Sequence, residues 1–240
     1  ADANECSLST ANPRTGTYHL RVQSIQNNSG PRRIFGGTRD TVGIGYAFYI
    51  PTLPSTSDDY ALLQIKDSDN NNLSTLTVDT TGRLQYRRGN KEGTILGSSN
   101  PCVLAQSYQH VEIWTYTDNS HGWIEVRVNG VTRLNLTGLD NLPDGLGQPA
   151  QVRIGCDGFA KTGAPAYTDI DDLFAADDLD GVNDDFIGDK KAYTRFPDAD
   201  GAENDWTPST GMDAFAMLNN VPPDDASEYI YAVGNQTNNE

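Results

Sequence analysis

The sequence predicts an all-β protein, a sandwich of two antiparallel sheets followed by a turn-rich C-terminal extension. Three observations predict this class. Short strand-like runs recur between residues 17 and 177, turn-forming residues stand between them, and no segment before residue 175 has a convincing helical period. A chain of 240 residues is long enough for one large β domain built in two layers.

The expected strands follow one another with short breaks. In chain order they are 17–25, 32–36, 41–50, 60–67, 73–79, 83–89, 93–97, 110–118, a hairpin at 121–138, 150–158 and 167–177. Turn signals such as DSDNNN, DTTG, NKEG and DNSHG separate them. The apolar run VGIGYAFYI (42–50) is typical of a buried strand and is too short to span a bilayer.

The hairpin HGWIEVRVNGVTRLNLTG allows its register to be predicted. Apolar and polar residues alternate, and an Asn-Gly pair supplies the positive-φ residues of a tight turn. A strict two-residue loop would set Val126 opposite a charged residue and mix the faces. We therefore predict a three-residue connection, or a bulge beside the turn, that pairs Val126 with Leu134 and Ile124 with Leu136 in the core.

The composition of the chain changes after residue 177. The segment 178–240 is acidic and rich in turn residues, with a strand-like run at 190–196 and a helix-like run at 212–220. We therefore divide the chain into a sandwich, 1–177, and a C-terminal extension, 178–240, that covers the sandwich, makes docking or oligomer contacts, or begins a further module. Its apolar residues supply the expected assembly contacts, Phe186, Tyr193, Phe196 and Trp206.

Several segments carry a resemblance to known proteins. The succession PRTGTYHLRV, VGIGYAFYI, LLQIKDSDNN, LTVDTTGRLQYRRG, HVEIWTYTDNSHGWIEVRVNGVTRLNLTG and YTDIDDLFAAD resembles a concanavalin A-like (laminin-G-like) jelly roll. The tail DDFIGDKKAYTRFPDADGAENDWTPSTG is similar to proteins found in tailed-phage genomes, in which a DDFLGD-type link and WTPSTG follow an IDD strand. The resemblance covers about residues 13–231, and whether the chain is a fragment of a longer protein stays open.

The resemblance implies a structural protein on the exterior surface of a tailed-phage or phage-like virion. It would serve as a head decoration or fibre, or as part of the tail adsorption apparatus. The implied partners are other virion proteins, sister copies of the chain and host-surface polysaccharide. The alternative is a free laminin-G-like carbohydrate-binding module of a secreted protein.

Charge and cysteine content narrow the range of partners. A formal net charge of −16 repels phosphate backbones, so we expect no nucleic-acid partner, and we expect no membrane insertion. The cysteines form no CxxC pair, which argues against a zinc site. Buried free thiols are favoured at Cys6, Cys102 and Cys156, and a disulfide between Cys102 and Cys156 is the alternative.

Because concanavalin A-like folds include glucan hydrolases, we sought a catalytic pair. Retaining glycosidases need two carboxylates about 5 Å apart, which on a strand means acidic residues at i and i+2 or i+4. Glu112 and Glu125 are the strand glutamates of the central region, and neither has a carboxylate two residues away. No HExxH, Gly-x-Ser-x-Gly, phosphate-loop or dinucleotide motif occurs. We therefore expect no enzymatic activity.

Asp-rich turns suggest calcium, which binds several oxygen ligands at one point. The run DSDNNN (67–72) begins like an EF-hand loop but lacks Gly at the sixth position and Glu at the twelfth, and DADG (198–201) is also incomplete. The run DIDD supplies the candidate ligands Asp169, Asp171 and Asp172. Solvated or capping carboxylates are the alternative, so we expect no cofactor, with calcium as the one candidate.

The candidate carbohydrate site is aromatic. Alternation places Trp114 and Tyr116 on the polar side of one strand, and Trp123, Glu125 and Arg127 on the polar side of the next. If the strands are neighbours, these residues lie on one sheet surface, where rings flanked by charge suit the stacking of sugars. The alternative is that the C-terminal extension covers the rings as a second small core.

Overall fold

The structure, a computed structural model, describes residues 6–23, 30–55, 59–157, 167–178, 185–190, 206–208 and 230–232. All regular secondary structure in these ranges is β-strand. The chain divides into two compact units, Ala1–Ala192 and Tyr193–Glu240. The division after residue 177 that the sequence suggests stays a prediction.

The strands of the first unit agree with most of the expected runs. In chain order they are β1 (Cys6–Ser9), β2 (His19–Val22), β3 (Arg32–Ile34), β4 (Thr41–Tyr49), β5 (Tyr60–Lys66), β6 (Asn72–Val78), β7 (Arg83–Arg88), β8 (Ile95–Pro101), β9 (Gln109–Tyr116), β10 (Gly122–Val128), β11 (Val131–Leu139), β12 (Gln151–Asp157) and β13 (Thr168–Asp177).

These strands form two antiparallel sheets that pack face to face. The seven-stranded sheet has the order β1-β2-β13-β4-β9-β10-β11, and the six-stranded sheet has the order β3-β12-β5-β6-β7-β8. Apolar side chains of both sheets form one buried core. Polar contacts also cross it: the Tyr46 hydroxyl donates to Leu62 O at 2.8 Å, Thr168 Oγ1 donates to the Tyr60 hydroxyl at 2.7 Å, and the Tyr86 hydroxyl lies 3.2 Å from Thr115 Oγ1. The fold is a two-sheet antiparallel jelly-roll sandwich, as predicted.

The hairpin of β10 and β11 has the predicted register. Ile124 pairs with Leu136 and Val126 with Leu134, and the register shifts beside Val126. That shift is a β-bulge, and the turn itself has two residues, with φ of 52° at Asn129 and 76° at the following glycine. The bulge therefore lets a two-residue turn keep the apolar side chains on the core face.

Strand β4 is buried along nearly its whole length. Its inward residues join the core, and two glycines face the other way. A Cβ atom at Gly43 would overlap the indole of Trp114, and one at Gly45 would overlap the ring of Phe174. The glycines thus leave room for aromatic rings of neighbouring strands on the outward face.

Some strands were not predicted from the sequence, and some predicted segments lie outside the described residues. Strand β1 was not among the expected strands, and β14 (Trp206–Pro208) and β15 (Ile230–Ala232) pair as a two-stranded sheet in the second unit. The helix-like run at 212–220, and all but the first residue of the run at 190–196, lie outside the described residues. Cys102 is a free thiol, so it does not form the alternative disulfide. Within the described ranges, no helix has the length and hydropathy of a transmembrane segment.

Candidate functional site

The five residues predicted to bind carbohydrate lie together on the outward face of the seven-stranded sheet. β9 and β10 pair so that Trp123 is opposite Tyr116 and Glu125 is opposite Trp114. Trp114 is only 2% exposed, so its ring offers little surface to a ligand. Glu125 Oε1 accepts a hydrogen bond from Arg127 Nε at 2.7 Å. The sequence therefore brings the residues together, and packing occupies much of their surface.

The segment that carries Phe186 lies against this same face. The backbone N–H groups of Ile187 and Gly188 both donate to Glu112 Oε1, each at 2.9 Å. The guanidinium of Arg127 lies 3.6 Å from the centroid of the Phe186 ring, within the range of a cation–π interaction. Phe186 therefore packs inside the first unit, and Glu112 anchors a backbone segment.

The other predicted assembly residues are described less fully. Tyr193 and Phe196 lie outside the described residues. Trp206 begins β14, and nothing of its side chain is described. The roles predicted for these residues in assembly, and for the aromatic residues in carbohydrate binding, stay predictions.

The three aspartates predicted as calcium ligands are held by donors of the chain itself. Asp169 accepts from Arg21 Nε and Nη2 at 2.7 and 2.8 Å. Asp171 and Asp172 accept from the backbone and side chains at positions 14 and 15, at distances including 2.9 and 3.0 Å. Among the residues that the structure describes, no group of His, Cys, Asp and Glu side chains could hold a metal ion. Calcium binding stays a prediction, and arginines already form ion pairs with Asp169 and Asp172.

The outward face of the seven-stranded sheet also holds buried titratable groups. Burial lowers the pKa of His110, which is 1% exposed, although nearby Asp189 and Glu112 act in the opposite direction. Burial raises the pKa of Tyr108, and the charge of Asp169 raises it further. Both groups therefore favour their neutral forms at neutral pH and are part of the packing of this face.

A cavity opens at the edge of the other sheet. It has a volume of about 360 Å³, at the lower end for small-ligand sites, and we name it the edge pocket. Three stretches far apart in the sequence line it: β3 with the following loop, the turn after β5, and the start of β12. Its lining residues are Arg32, Ile34, Phe35, Gly37, Thr38, Ser68, Asn70, Ala150 and Gln151.

Strand β3 and its loop form the apolar wall of the edge pocket. β3 pairs with β12, which sets Ile34 opposite Gln151. A backbone hydrogen bond of 2.9 Å from Phe35 N to Ala150 O continues the pairing into the loop. Because β3 is an edge strand, Ile34 stays 55% exposed and presents an aliphatic surface.

The turn at 67–71 forms a polar wall. Asp67 Oδ1 accepts the backbone N–H groups of Asp69 and Asn71 at 3.0 and 2.8 Å. Asn70 has a φ of 68°, a left-handed conformation that asparagine tolerates. The stretch that begins like an EF-hand loop therefore uses its first carboxylate to close its own turn.

Two cations hold Asn70 in place at the pocket. Lys66 Nζ donates to Asn70 O at 3.0 Å, and Arg153 Nη2 donates to Asn70 Oδ1 at 3.4 Å. Both cations are nearly buried. The orientation of the Asn70 amide follows from this contact, because Arg153 can only donate.

Gln151 contributes a buried polar group whose hydrogen bonding is incomplete. The side chain is 5% exposed, and its Nε2 donates to Asp67 O at 3.0 Å. Since a carbonyl can only accept, this bond fixes which end of the amide is which. Gln151 Oε1 has no hydrogen-bond partner in the described part of the chain. A buried acceptor left in that state costs about 1–3 kcal/mol, so a donor on a ligand would be favoured there.

Arg32 brings a positive charge to the pocket. It is exposed, and among the described residues it forms no ion pair. The next residue, Arg33, is also exposed, but it pairs with the core residue Val152 and so belongs to the opposite side of β3. Two similar arginines therefore stand side by side, and one of them lines the pocket.

Sequence reasoning did not point to the edge pocket. The available signal was the alternation in β5 and β12, where Gln64 and Lys66 pair with Arg153 and Gln151. Polar residues on that side of two central strands are buried, which is uncommon unless they have partners. The sequence does not reveal that the turn and the loop meet beside them.

Comparison with solved structures finds proteins of similar fold. A mutant of the alginate lyase Aly36B in complex with alginate trisaccharide is 13% identical, covers 67% of this chain and 83% of its own, and has a TM-score of 0.43. The family 7 alginate lyase A1-II′ with bound substrate is 17% identical, and the match covers 75% of this chain and 81% of the lyase, with a TM-score of 0.42. The carbohydrate-binding module CBM66 from Bacillus subtilis is 8% identical, and the match covers 71% of this chain and 94% of the module, with a TM-score of 0.42. At these identities the likeness concerns the fold.

Neither a protein-family model nor a curated protein matches the chain. The structural matches correct two expectations. We predicted a non-enzymatic structural protein of a virion, whereas the solved structures named above are alginate lyases and a carbohydrate-binding module. Both the virion role and the absence of enzymatic activity are therefore wrong as predictions. The resemblance to tailed-phage proteins, and a location on the virion, stay predictions that no match tests.

The expectation of no enzymatic activity rested on one kind of mechanism. We looked for the paired carboxylates of a retaining hydrolase, and their absence excludes that mechanism alone. Other mechanisms of cleavage, such as β-elimination with a single base, need no such pair. Glu112 and Glu125, tested as hydrolytic carboxylates, are engaged in structural hydrogen bonds.

Proposed function

We propose that the chain is a carbohydrate-binding module and that the edge pocket holds the sugar. The observation that carries this proposal is the side chain of Gln151: the residue lines the pocket, and its buried Oε1 atom lacks a donor among the described residues. A sugar hydroxyl can supply that donor. The exposed side chain of Ile34 offers the apolar surface against which the C–H face of a sugar ring packs.

The remaining polar groups of the pocket suit a ligand rich in hydroxyl groups. Ser68 and Thr38 carry hydroxyls that donate or accept, and Asn70 adds an amide. All three are exposed. A few orienting polar groups beside an apolar wall are the usual composition of a small-ligand site.

Isothermal titration calorimetry with a panel of neutral and acidic oligosaccharides tests the proposal. We expect at least one sugar to bind the wild-type chain, and Gln151→Met to weaken that binding about tenfold or more, because the acceptor is lost. Mass spectra of the oligosaccharide, recorded before and after the titration, show whether the bound sugar is also cleaved.

Gln109→Met is the matched control. Gln109 is as buried as Gln151, but its Oε1 accepts from Leu104 N at 2.6 Å and its Nε2 donates to Cys102 O at 2.9 Å. We expect this variant to lower thermal stability without changing the affinity of the folded protein. If no sugar binds, or if both variants lose affinity equally, the edge pocket is not a carbohydrate site.

A further inference from the structure

Beside the hydroxyls of Ser68 and Thr38, which donate or accept, the edge pocket is lined by Arg32 and by two amide side chains, those of Asn70 and Gln151. Arg32 has only donors, and Asn70 is left with its Nδ2 donor because Arg153 occupies its Oδ1 atom. Gln151 Oε1 is the buried acceptor. A ligand that matches this set carries several strong acceptors and at least one hydroxyl donor.

Positive charge is concentrated at this end of the six-stranded sheet. Arg32 stands opposite Arg153, and neighbouring strands lie about 4.8 Å apart. Lys66 lies beside them, opposite Gln151. Two carboxylates belong to the turn: Asp67 accepts three hydrogen bonds within it, and Asp69 is exposed.

Arg32 brings a guanidinium to the lining of the edge pocket in a chain whose formal net charge is −16. Some strand arginines pair with carboxylates, such as Arg21 with Asp169 and Arg127 with Glu125. In the described part of the chain Arg33, Arg83 and Arg133 form no ion pair, and neither does Arg32, which is the one of these four that lines the edge pocket. An unneutralised guanidinium inside a pocket is a binding point for an anion.

We propose that the edge pocket binds a uronic acid unit, with its carboxylate on Arg32 and a hydroxyl donating to Gln151 Oε1. A guanidinium and a carboxylate match in a two-pronged geometry, and the Asn70 amide adds a further donor. This assignment rests on the proposed carbohydrate-binding function and names the class of sugar that the pocket selects.

Hexamers of galacturonic, glucuronic and mannuronic acid, each compared with its methyl ester, test the assignment by calorimetry. Esterification removes the charge and keeps the sugar ring and its hydroxyls. We expect at least one acid to bind the wild-type chain about tenfold or more tightly than its ester, since hydrogen bonds to charged groups are the stronger ones.

The two neighbouring arginines supply matched variants. We expect Arg32→Ala to weaken binding of the acid about tenfold or more and to abolish the difference between acid and ester. Arg33→Ala removes the same charge from the same strand but from the other side, so we expect the acid to bind within about twofold of wild type. Arg32→Lys keeps the charge without the planar fork and should give an intermediate affinity. Thermal unfolding curves confirm that each variant is folded.

Each contrary result has a distinct meaning. Esters that bind as tightly as the acids, or equal losses in Arg32→Ala and Arg33→Ala, overturn the uronic acid assignment and leave the carbohydrate-binding function standing. A sulfated neutral hexamer that binds as tightly as the acids overturns the assignment to a carboxylate. Absence of binding by every sugar overturns both proposals.

Discussion

Asp169→Ala should be strongly destabilising, because it breaks a buried ion pair. The Asp169 side chain is fully buried, and it accepts two hydrogen bonds from Arg21, whose side chain is 18% exposed. His19 Nε2 lies 3.0 Å from the same carboxylate, without the alignment of a hydrogen bond. Removing one partner of a buried pair costs about 3–5 kcal/mol, and the partial exposure of Arg21 favours the lower value.

A loss of about 3 kcal/mol corresponds to a fall in Tm of roughly 6–12 °C for a unit of this size. Differential scanning calorimetry at neutral pH measures it. Glu125→Ala is the control, since the Glu125–Arg127 pair is partly exposed and should contribute about 0–1 kcal/mol. If Asp169→Ala lowers Tm no more than Glu125→Ala does, the buried carboxylate does not stabilise β13 against β2 as we infer.

Three further predictions concern other parts of the sandwich. Burial lowers the pKa of His110, so the folded state binds fewer protons than the unfolded state, and the free energy of unfolding should fall as the pH drops below about 6.5. Urea titrations at several pH values measure this fall. It should be smaller in His110→Phe than in His121→Phe, the control variant at an exposed histidine. Gly45→Ala should lower the free energy of unfolding by about 1–3 kcal/mol, because the new methyl group overlaps the ring of Phe174. Gly36→Ala, where the added methyl group meets open space, should leave that free energy nearly unchanged. Chemical denaturation of both variants measures the difference. Glu112→Ala should accelerate hydrogen exchange at the backbone amides of Ile187 and Gly188, which donate to Glu112, and leave exchange in the core strands unchanged. If these two amides are protected equally in the variant and in the wild type, the contact with Glu112 does not hold this segment in place.

The strands and their register could be predicted because they depend on local patterns. In the β10–β11 hairpin, the alternation of apolar and polar residues and the Asn-Gly pair left two possible registers. The need to keep Val126 and Leu134 on the core face then selected the register with the bulge. The alternation along β9 and β10 also placed Trp114 and Trp123 correctly on one face. It could not show that Trp114 would be buried over a glycine of the adjacent β4, because that depends on which strands are neighbours in the sheet.

The edge pocket could not be predicted for a similar reason. Arg32, Asn70 and Gln151 are separated by long stretches of sequence, and they meet because β12 lies between β3 and β5. In the sequence each is an ordinary polar residue. The aspartates at 169, 171 and 172 resembled calcium ligands because composition alone cannot show the donors that each carboxylate accepts from, which include the guanidinium groups that pair with Asp169 and Asp172. Such sites become visible only when the sheet order is known.

The most direct test of the central claim is an NMR titration of the ¹⁵N-labelled chain with the uronic acid hexamer that binds best. If the edge pocket is the carbohydrate site, the side-chain amide signals of Gln151 and Asn70 and the Nε signal of Arg32 shift with added sugar. The indole N–H signals of Trp114 and Trp123, on the seven-stranded sheet, then stay in place. Shifts confined to the two indoles, with the pocket signals unchanged, would contradict the claim and return the binding site to the aromatic face.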